Sequence, residues 1–335
     1  MKIVFELSKE HATLPRAEVF ACLHAENVWH DIVEANDDAL VIETAAKDAV
    51  IKKVAARLSL TFFTDKMLFS CQPALKEIKQ YATQNTLGKP GSVAIQYKNR
   101  SNTIDSQPIL KTLGEAYTKN RTVDLATPDI LIRALITDST VYVGLAIAEI
   151  NRRQFETRKV QHRPFFSPIS LHPKLARALA NLSMIRNNET LLDPFCGTGG
   201  ILLEAGLLGA KVIGSDIEEK MIEGCTRTLD FYKINNYEVL CSDIGDIKQN
   251  VDKVDAVVTD LPYGKATTTK GENISHLCER AFEHISDVLK KGRRAVMGLP
   301  KEDMISGGEH YFSLVEQHDV RVHRSLTRYF AVYQK

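Results

Sequence analysis

Four apolar runs in the second half of the chain each end in an aspartate. They are TLLD, KVIGSD, YEVLCSD and DAVVTD, which end at Asp193, Asp216, Asp243 and Asp260. Helical patterns separate most of them, and short apolar runs bounded by turn residues are typical of buried parallel strands. We therefore predict a doubly wound, mostly parallel α/β sheet over residues 165–335. The four acids should lie at one edge, because the carboxyl ends of parallel strands meet there.

The first half of the chain mixes strand and helix patterns in a less regular order. Residues 1–50 read strand, helix, strand, strand, and residues 51–150 alternate helical stretches with strands such as TVYVGLAIAEI. In that strand the apolar residues fall on one face at period two. This mixture predicts a small α+β region. Residues 151–164, NRRQFETRKVQHRP, contain few apolar residues and predict a basic connector.

Positive charge is concentrated in the middle of the chain, although the net charge of the 335 residues is only +1. Residues 1–50 carry 4 basic and 10 acidic residues (net −6), residues 51–160 carry 17 and 9 (net +8), and residues 161–335 carry 22 and 23 (net −1). Such a basic block predicts contact with a polyanion such as RNA; a solvated basic face without a ligand is the other interpretation. The candidate RNA contacts are Lys98, Arg100, Arg133, Arg152, Arg153, Arg158 and Lys159.

Composition narrows the class of protein. Hydrophobic residues make up 44% and charged residues 25% of the chain, as in globular proteins, and no apolar run approaches the ~20 residues that span a bilayer. The N-terminus lacks the long apolar core of a secretory signal, so we expect a cytoplasmic protein without a membrane partner. No two of the six cysteines form a CxxC pair, which disfavours a disulfide framework or a structural metal site.

The turn after the first of the four runs is rich in glycine. It reads DPFCGTGG, from Asp193 to Gly200, so its backbone can turn tightly and approach a ligand closely. The acid at its start would repel the pyrophosphate of a dinucleotide but would suit the cationic amino-acid group of S-adenosylmethionine. Asp216 is then placed for ribose hydroxyls and Asp243 for an adenine edge. The predicted cofactor contacts are Asp193, Pro194, Phe195, Gly197, Gly199, Asp216, Ile217, Asp243 and Ile244.

The fourth run ends in the corner DLPYG, from Asp260 to Gly264. The Asp260 carboxylate and the Leu261 carbonyl can accept hydrogen bonds from an exocyclic amine, Pro262 restricts the backbone that aims this carbonyl, and Tyr263 offers a ring for base stacking. Acceptors aimed at a weakly nucleophilic amine orient it for attack on a sulfonium methyl and stabilise the charge that grows on nitrogen. These four residues are the predicted catalytic residues.

DPFCGTGG and DLPYG together resemble the motifs of amino-methyltransferases that use S-adenosylmethionine. With RPFFSPISLHPKLARALANL and PDILIRALITDSTVYVGLAI, nearly the whole chain is similar to archaeal tRNA guanosine N2-methyltransferases of the THUMP class. The resemblance implies a ferredoxin-like domain over 1–50, a THUMP RNA-binding domain over 51–150, a linker over 151–164 and a Rossmann-like methyltransferase domain over 165–335. It also implies tRNA as the partner and guanosine 10 as the target, and it leaves open whether a small activating protein subunit is needed.

The same residues fit other interpretations. One is an N2-methyltransferase for another tRNA or ribosomal RNA guanosine, and one from a different class is a non-catalytic tRNA-binding subunit.

Cys196 lies in the cofactor turn and not at the DLPYG corner, which disfavours nucleophilic catalysis by a cysteine. His172 either contacts the cofactor or caps the helix that we expect to begin near Ser170. Thr267 to Lys270 form either a flap over the substrate or an ordinary loop.

Overall fold

The computed structural model describes residues 1–166, 170–262, 271–323 and 326–335. Within these ranges, no helix combines the length and the apolar character needed to cross a membrane. The chain divides into two compact units. The first unit contains Met1–Ala12, Val28–Ala56 and Thr61–Asn151, and the second unit contains Thr13–Asn27, Arg57–Leu60 and Arg152–Lys335.

Residues 1–151 form seven strands and four helices. Their bounds are β1 (Lys2–Leu7), α1 (Leu14–Ala25), β2 (Asp31–Ala35), β3 (Ala39–Glu43), α2 (Asp48–Arg57), β4 (Thr61–Cys71), α3 (Leu75–Gln84), β5 (Val93–Asn99), α4 (Ser106–Tyr117), β6 (Ile130–Ile136) and β7 (Val141–Glu149). The strands make one sheet in the order β2-β3-β1-β4-β7-β6-β5. Val141 and Val143 of β7 face Ile78 of α3 and Leu113 of α4 in a shared core, as the period-two pattern predicted.

The predicted boundary at residue 50 differs from this arrangement. β1 pairs with β3 on one side and with β4 on the other, so backbone hydrogen bonds join residues from both predicted domains in a single sheet. Residue 50 itself falls inside α2. The α+β content of this region was predicted correctly, but sequence alone gave no sign that the sheet continues across the boundary.

Residues 152–335 supply the remaining elements. Their bounds are α5 (Arg153–Glu156), α6 (Pro173–Leu182), β8 (Thr190–Asp193), α7 (Gly200–Gly206), β9 (Lys211–Asp216), α8 (Glu219–Phe231), β10 (Tyr237–Cys241), α9 (Ile247–Asn250), β11 (Val254–Asp260), α10 (Ile274–Val288), β12 (Leu289–Leu299), α11 (Ile305–Gly308), β13 (Ser313–His323) and β14 (Leu326–Gln334). The strand order is β10-β9-β8-β11-β12-β14-β13, and the first five strands are parallel. This confirms the predicted mostly parallel sheet, to which β13 and β14 add two antiparallel strands.

The second sheet is buried on both faces. Successive residues of β11 enter different cores: Val258 packs with the residues of α6, α7 and α8, whereas Val257 packs with those of α10. Leu191 and Leu192 of β8 are divided in the same way. Strands covered on both faces need apolar residues at consecutive positions, which explains why these strands are continuous apolar runs in the sequence.

Helix α1 belongs to the second unit, although it was predicted as part of an N-terminal domain. Its fully buried Glu18 accepts hydrogen bonds from Ser59 N (3.0 Å) and Oγ (2.7 Å), from Leu60 N (2.8 Å) and from Asn181 Nδ2 (2.9 Å). Burial raises the pKa of this carboxyl, and the hydrogen bonds oppose that rise. One side chain therefore connects α1, the 57–60 segment and α6.

Helix α6 begins two residues later than expected. His172 is its N-cap, with Nδ1 accepting a hydrogen bond from Lys174 N at 3.2 Å, and Pro173 is the first helical residue. The expected start near Ser170 was therefore too early, and the capping interpretation of His172 is confirmed.

We predict that Glu18→Ala destabilises the second unit. It would leave the buried N–H groups of Ser59 and Leu60 without an acceptor, and each unsatisfied buried donor costs about 1–3 kcal/mol. We expect the free energy of unfolding to fall by about 3 kcal/mol, measured by urea denaturation followed by circular dichroism. The exposed Glu43→Ala serves as the control and should change it by less than about 0.5 kcal/mol. Equal effects of the two substitutions would contradict the assigned role of Glu18.

Candidate active site

The order of strands in the second unit brings the predicted acidic residues to one edge. β9, β8 and β11 are neighbours and run parallel, so Asp216, Asp193 and Asp260 all lie at the carboxyl edge of the sheet. Asp243 follows β10, the next strand outward. The fold therefore gathers four carboxyl groups, each with its own partners.

Asp193 is the most deeply buried of these acids, with 1% of its surface exposed. Its Oδ1 accepts hydrogen bonds from Thr259 Oγ1 (2.6 Å) and Phe195 N (3.2 Å). Burial nevertheless raises its pKa to about 7, and the negative charges of Asp260 and Asp216 add to the rise. Among the described residues no basic side chain pairs with it. The group therefore titrates near neutral pH and would gain from a cationic ligand.

The glycine turn is held by Asp216. Its Oδ2 accepts a hydrogen bond from Gly197 N and its Oδ1 one from Glu218 N, both at 3.0 Å. Gly197 has φ 49° and Gly199 has φ 77°, values that disfavour a side chain. A Cβ atom on Gly199 would lie 2.7 Å from Cys225 Sγ, whereas the space beside Gly197 is open. The turn is therefore tight on its inner side and open where a ligand can approach.

Asp243 is fixed by neighbours that the sequence did not indicate. Its Oδ1 accepts hydrogen bonds from Gly245 N (2.8 Å) and from the guanidinium of Arg280 on α10. Arg280 also donates to both oxygens of Glu272, at 3.0 and 2.9 Å. This network orients the carboxyl that we predicted for an adenine edge.

The apolar residues that were predicted to contact the cofactor differ in how exposed they are. Phe195 and Ile217 are partly exposed next to the acids. Pro194 and Ile244 are buried, and Ile244 packs in the core beneath α10. Their side chains therefore support the turns from below, and cofactor contact by Pro194 and Ile244 remains a prediction.

β11 ends at Asp260, and Leu261 and Pro262 follow it. The Asp260 side chain is 16% exposed and pairs with the guanidinium of Arg328 on β14. Leu261 N donates to Gly298 O of β12 at 3.0 Å, and its side chain is buried. Pro262 is partly exposed, while Tyr263 and the candidate flap from Thr267 to Lys270 lie outside the described residues. Two predicted catalytic groups are thus held by neighbouring strands. The Asp260 carboxyl is held by β14 and the Leu261 backbone by β12.

The thiol of Cys196 is unsuited to nucleophilic catalysis. It is buried, and a hydrogen bond with Cys225 together with burial raises its pKa well above the ordinary range of a cysteine. The thiolate form is therefore disfavoured, in agreement with the interpretation that the sequence favoured. In the described part of the chain, no three histidine, cysteine or acidic side chains are grouped to hold a metal ion.

Two of the residues that were predicted to contact RNA instead form ion pairs inside the first unit. Arg100, 7% exposed, pairs with Glu6 and Asp38 at 3.0 Å. Arg133, 4% exposed, pairs with Glu6, and its guanidinium lies 3.4 Å from the centre of the Phe63 ring. Their burial argues against contact with RNA, because the guanidinium groups already satisfy internal carboxylates. Lys98 on β5 is exposed.

The basic connector packs into the second unit. Arg158 is buried and donates to both oxygens of Glu204, at 2.7 and 3.1 Å, so it is also a structural residue. Lys159 pairs with Glu156. Arg152 is partly exposed and Arg153 is exposed. Of the seven basic candidates, Lys98 and Arg153 thus remain as accessible charges without a partner carboxylate among the described residues.

Comparisons with known proteins agree with this architecture. Residues 160–329 match the family model described as "UPF0020: RMKL-like, methyltransferase domain". The tRNA (guanine(10)-N2)-dimethyltransferase of Methanothermobacter thermautotrophicus is 34% identical, with all of both chains covered. Crystal structures of TrmN from Thermus thermophilus (19% identity, TM-score 0.58, all of both chains) and of SMU.472 complexed with SAH (14% identity, TM-score 0.54, 99% of this chain and 97% of the other) share the fold.

We predict that Asp193→Asn stabilises the protein at alkaline pH. The folded-state pKa of about 7 lies above the unfolded value of 3.8, so the contribution of the protonated carboxyl is complete below pH 3.8 and is lost as the pH rises through 7. The amide avoids ionisation and keeps an oxygen for Thr259 and Phe195. At pH 8.5 we expect the variant to be more stable than the wild type by about 1–4 kcal/mol, a difference that shrinks toward pH 5. Urea denaturation at several pH values measures it, and a difference independent of pH would contradict the assignment.

Proposed function

Because this chain belongs to the family of tRNA (guanine(10)-N2)-dimethyltransferases, we propose that it methylates the exocyclic N2 of guanosine 10 in tRNA, with S-adenosylmethionine as methyl donor. The products are N2-methylguanosine and N2,N2-dimethylguanosine. The observation that carries this proposal is the Asp260–Leu261 corner, where a carboxylate lies at the same sheet edge as the acid-lined glycine turn.

The residues at this edge fit S-adenosylmethionine. The Asp193 carboxyl lacks a basic partner among the described residues and would complement the charge of the amino-acid group. The open space beside Gly197 admits a ligand against the turn. Asp216 would hold ribose hydroxyls, and Asp243, oriented by Arg280, would accept from the adenine amine. When bound, S-adenosylmethionine supplies a methyl group on a positively charged sulfur.

The corner residues act on the guanine amine. N2 is a poor nucleophile because its lone pair is delocalised into the ring, so orientation and charge stabilisation carry most of the catalysis. The Asp260 carboxylate and the Leu261 carbonyl accept the two amine hydrogens and thereby fix the direction of the remaining lone pair. Tyr263 is proposed as the stacking surface for the base. These roles require the Asp260 carboxyl to be ionised.

The Asp260 carboxyl is mostly ionised above neutral pH. Burial raises its pKa to about 6, and the charge of Arg328 opposes that rise. At pH 7.5 most molecules therefore carry the carboxylate, which can take the proton that N2 releases or pass it to water. A pKa of 6 also makes this aspartate a better proton acceptor than an ordinary one.

The first unit is the proposed tRNA-docking region, corresponding to the N-terminal ferredoxin-like and THUMP modules. Its exposed Lys98 would contact a phosphate, and the exposed Arg153 of the second unit is a separate candidate contact. A guanine paired within tRNA must leave the stack to enter a pocket, which costs a few kcal/mol, and docking contacts elsewhere offset that cost. We place this activity in the cytoplasm, where tRNA is the substrate.

The experiment that tests the proposed function uses the purified chain, an unmodified tRNA transcript and methyl-labelled S-adenosylmethionine. Nucleoside analysis identifies the product, and a guanosine 10→adenosine transcript serves as the control. We expect N2-methylguanosine and N2,N2-dimethylguanosine at position 10 only. Methylation of another guanosine would reject the target, and cofactor binding without methylation would favour a binding-only subunit. Activity that appears only with an added cell fraction would indicate an activating protein subunit.

We predict that Asp260→Asn lowers kcat by about 10²–10³-fold, because the amide can no longer accept from the amine with a full negative charge. The dissociation constant for S-adenosylmethionine, measured by calorimetry, should change less than about threefold. The control is Asp246→Asn, at an exposed position in the same unit, and it should keep full activity. Retention of more than a tenth of the wild-type kcat would reject the role of Asp260.

We predict that Lys98→Ala weakens tRNA binding by loss of one phosphate contact. The slope of log Kd against log salt concentration should fall in magnitude by about 1, while kcat at saturating tRNA is unchanged. Filter binding at several salt concentrations measures the slope. Lys2→Ala, an exposed lysine of the acidic N-terminal segment, is the matched control and should leave the slope unaltered. Identical slopes for wild type and Lys98→Ala would remove this residue from the docking surface.

A further inference from the structure

Arg328 occupies a position that neither the cofactor motif nor the DLPYG corner indicates. It lies on β14, the antiparallel strand beyond β12, and its side chain is buried. Its guanidinium Nη1 donates to Asp260 Oδ2 across the intervening strand. An ion pair is thus placed beside the predicted catalytic residue Asp260, where burying two charges is costly unless they are paired and hydrogen-bonded.

The strand between the two residues is shaped for this pair. Gly298 of β12 is the register partner of both Asp260 on β11 and Phe330 on β14. A Cβ atom on Gly298 would overlap the Asp260 carboxyl and lie 2.8 Å from Phe330 Cε1. Only a residue without a side chain leaves room for the carboxyl to cross β12 and reach Arg328. The contact between Asp260 and Arg328 therefore requires a glycine at this position of β12.

The charged neighbours of the Asp260 carboxyl come from two strands in the described part of the chain. Arg328 faces it from β14, and Asp193 lies on its other side on β8, linked through Thr259. β12 contributes the uncharged Met297, Gly298 and Leu299 at this level. Arg328 is thus the described cation whose charge offsets the burial of Asp260.

We propose that Arg328 is a positioning residue for methyl transfer: it keeps the Asp260 carboxyl ionised and turned so that the oxygen not paired with the guanidinium faces the substrate amine. This inference rests on the proposed function, because it assigns Asp260 the role of amine acceptor. It assigns Arg328 no contact with tRNA or with the cofactor. Its effect on the reaction passes entirely through Asp260.

The proposal has a consequence for the pH dependence of the reaction. Burial alone raises the pKa of Asp260 and the charge of Arg328 lowers it, with a net value of about 6. Removal of the positive charge must therefore raise that pKa further. Since the ionised carboxyl is the active form, the acidic limb of the kcat profile moves to higher pH, and activity returns in alkaline buffer.

The test compares Arg328→Gln and Arg328→Lys with the wild type in steady-state methylation at saturating tRNA and S-adenosylmethionine between pH 5.5 and 9. For Arg328→Gln we expect the midpoint of the acidic limb to rise by at least about one pH unit, so that the rate on the acidic side falls about tenfold and recovers near pH 9. Arg328→Lys retains the charge and should keep the midpoint within about half a unit. Arg294→Gln removes a partly buried arginine of the same sheet and should not move it.

A second variant separates this role from folding. Gly298→Ala leaves Arg328 in place but pushes the Asp260 carboxyl away from it, so it should raise the midpoint in the same direction. Circular dichroism and the dissociation constant for S-adenosylmethionine monitor folding. If Arg328→Gln does not fold, Gly298→Ala and Arg328→Lys decide the question, with Gly307→Ala as the control that only makes an ordinary contact.

Three results would overturn the inference. They are an unchanged midpoint with a uniformly lower rate in Arg328→Gln, an unchanged midpoint in Gly298→Ala, or a rise in the KM for tRNA alone. The last would mean that Arg328 contacts the nucleic acid. A wild-type protein that binds S-adenosylmethionine but methylates no guanosine would reject the proposed function instead, so the two failures are distinguishable.

Discussion

The structure around the site depends on one constraint: side-chain carboxyl groups are buried at the edge of the second sheet where its parallel strands end. Desolvation raises the pKa values of Asp193 and Asp260, and each group is then stabilised by a different means. Asp193 receives hydrogen bonds from Thr259 and from a backbone N–H, whereas Asp260 receives the charge of Arg328. The first arrangement leaves a site that favours a cation, and the second leaves an ionised acceptor. The same edge thus provides both chemistries that methylation of an amine requires.

The methyltransferase unit is built from more of the chain than its motifs indicate. Glu18 and Ser59, from two short segments of the N-terminal half, join α6 through a buried network of hydrogen bonds. The buried Glu18 carboxyl is stabilised there because backbone and side-chain donors surround it. These contacts cover one face of the parallel sheet and help to bury the apolar runs that end at the site.

The net charge of a segment does not show which of its charged side chains are exposed. The basic surplus of residues 51–160 suggested a surface for RNA, yet Arg100, Arg133 and Arg158 are directed inward to Glu6, Asp38 and Glu204. Arginine is suited to such pairs because its planar group binds carboxylates with two hydrogen bonds and packs on aromatic rings. The docking surface must therefore be assigned from exposed residues, such as Lys98, and not from the net charge of a segment.

The sequence alone determined the strands, the helices and the turn chemistry of the site. Three features are visible in neighbouring residues of the sequence: the apolar period, the acids at the strand ends and the glycines of DPFCGTGG. Asp193, Asp216 and Asp260 could therefore be identified without knowledge of the fold. Only the tertiary structure decided the partners of these acids, the unit to which α1 belongs and the continuation of the first sheet past residue 50. Arg328 lies 68 positions from Asp260 and becomes its neighbour only through the order β11-β12-β14. Strand order depends on long-range packing, and no local pattern encodes it.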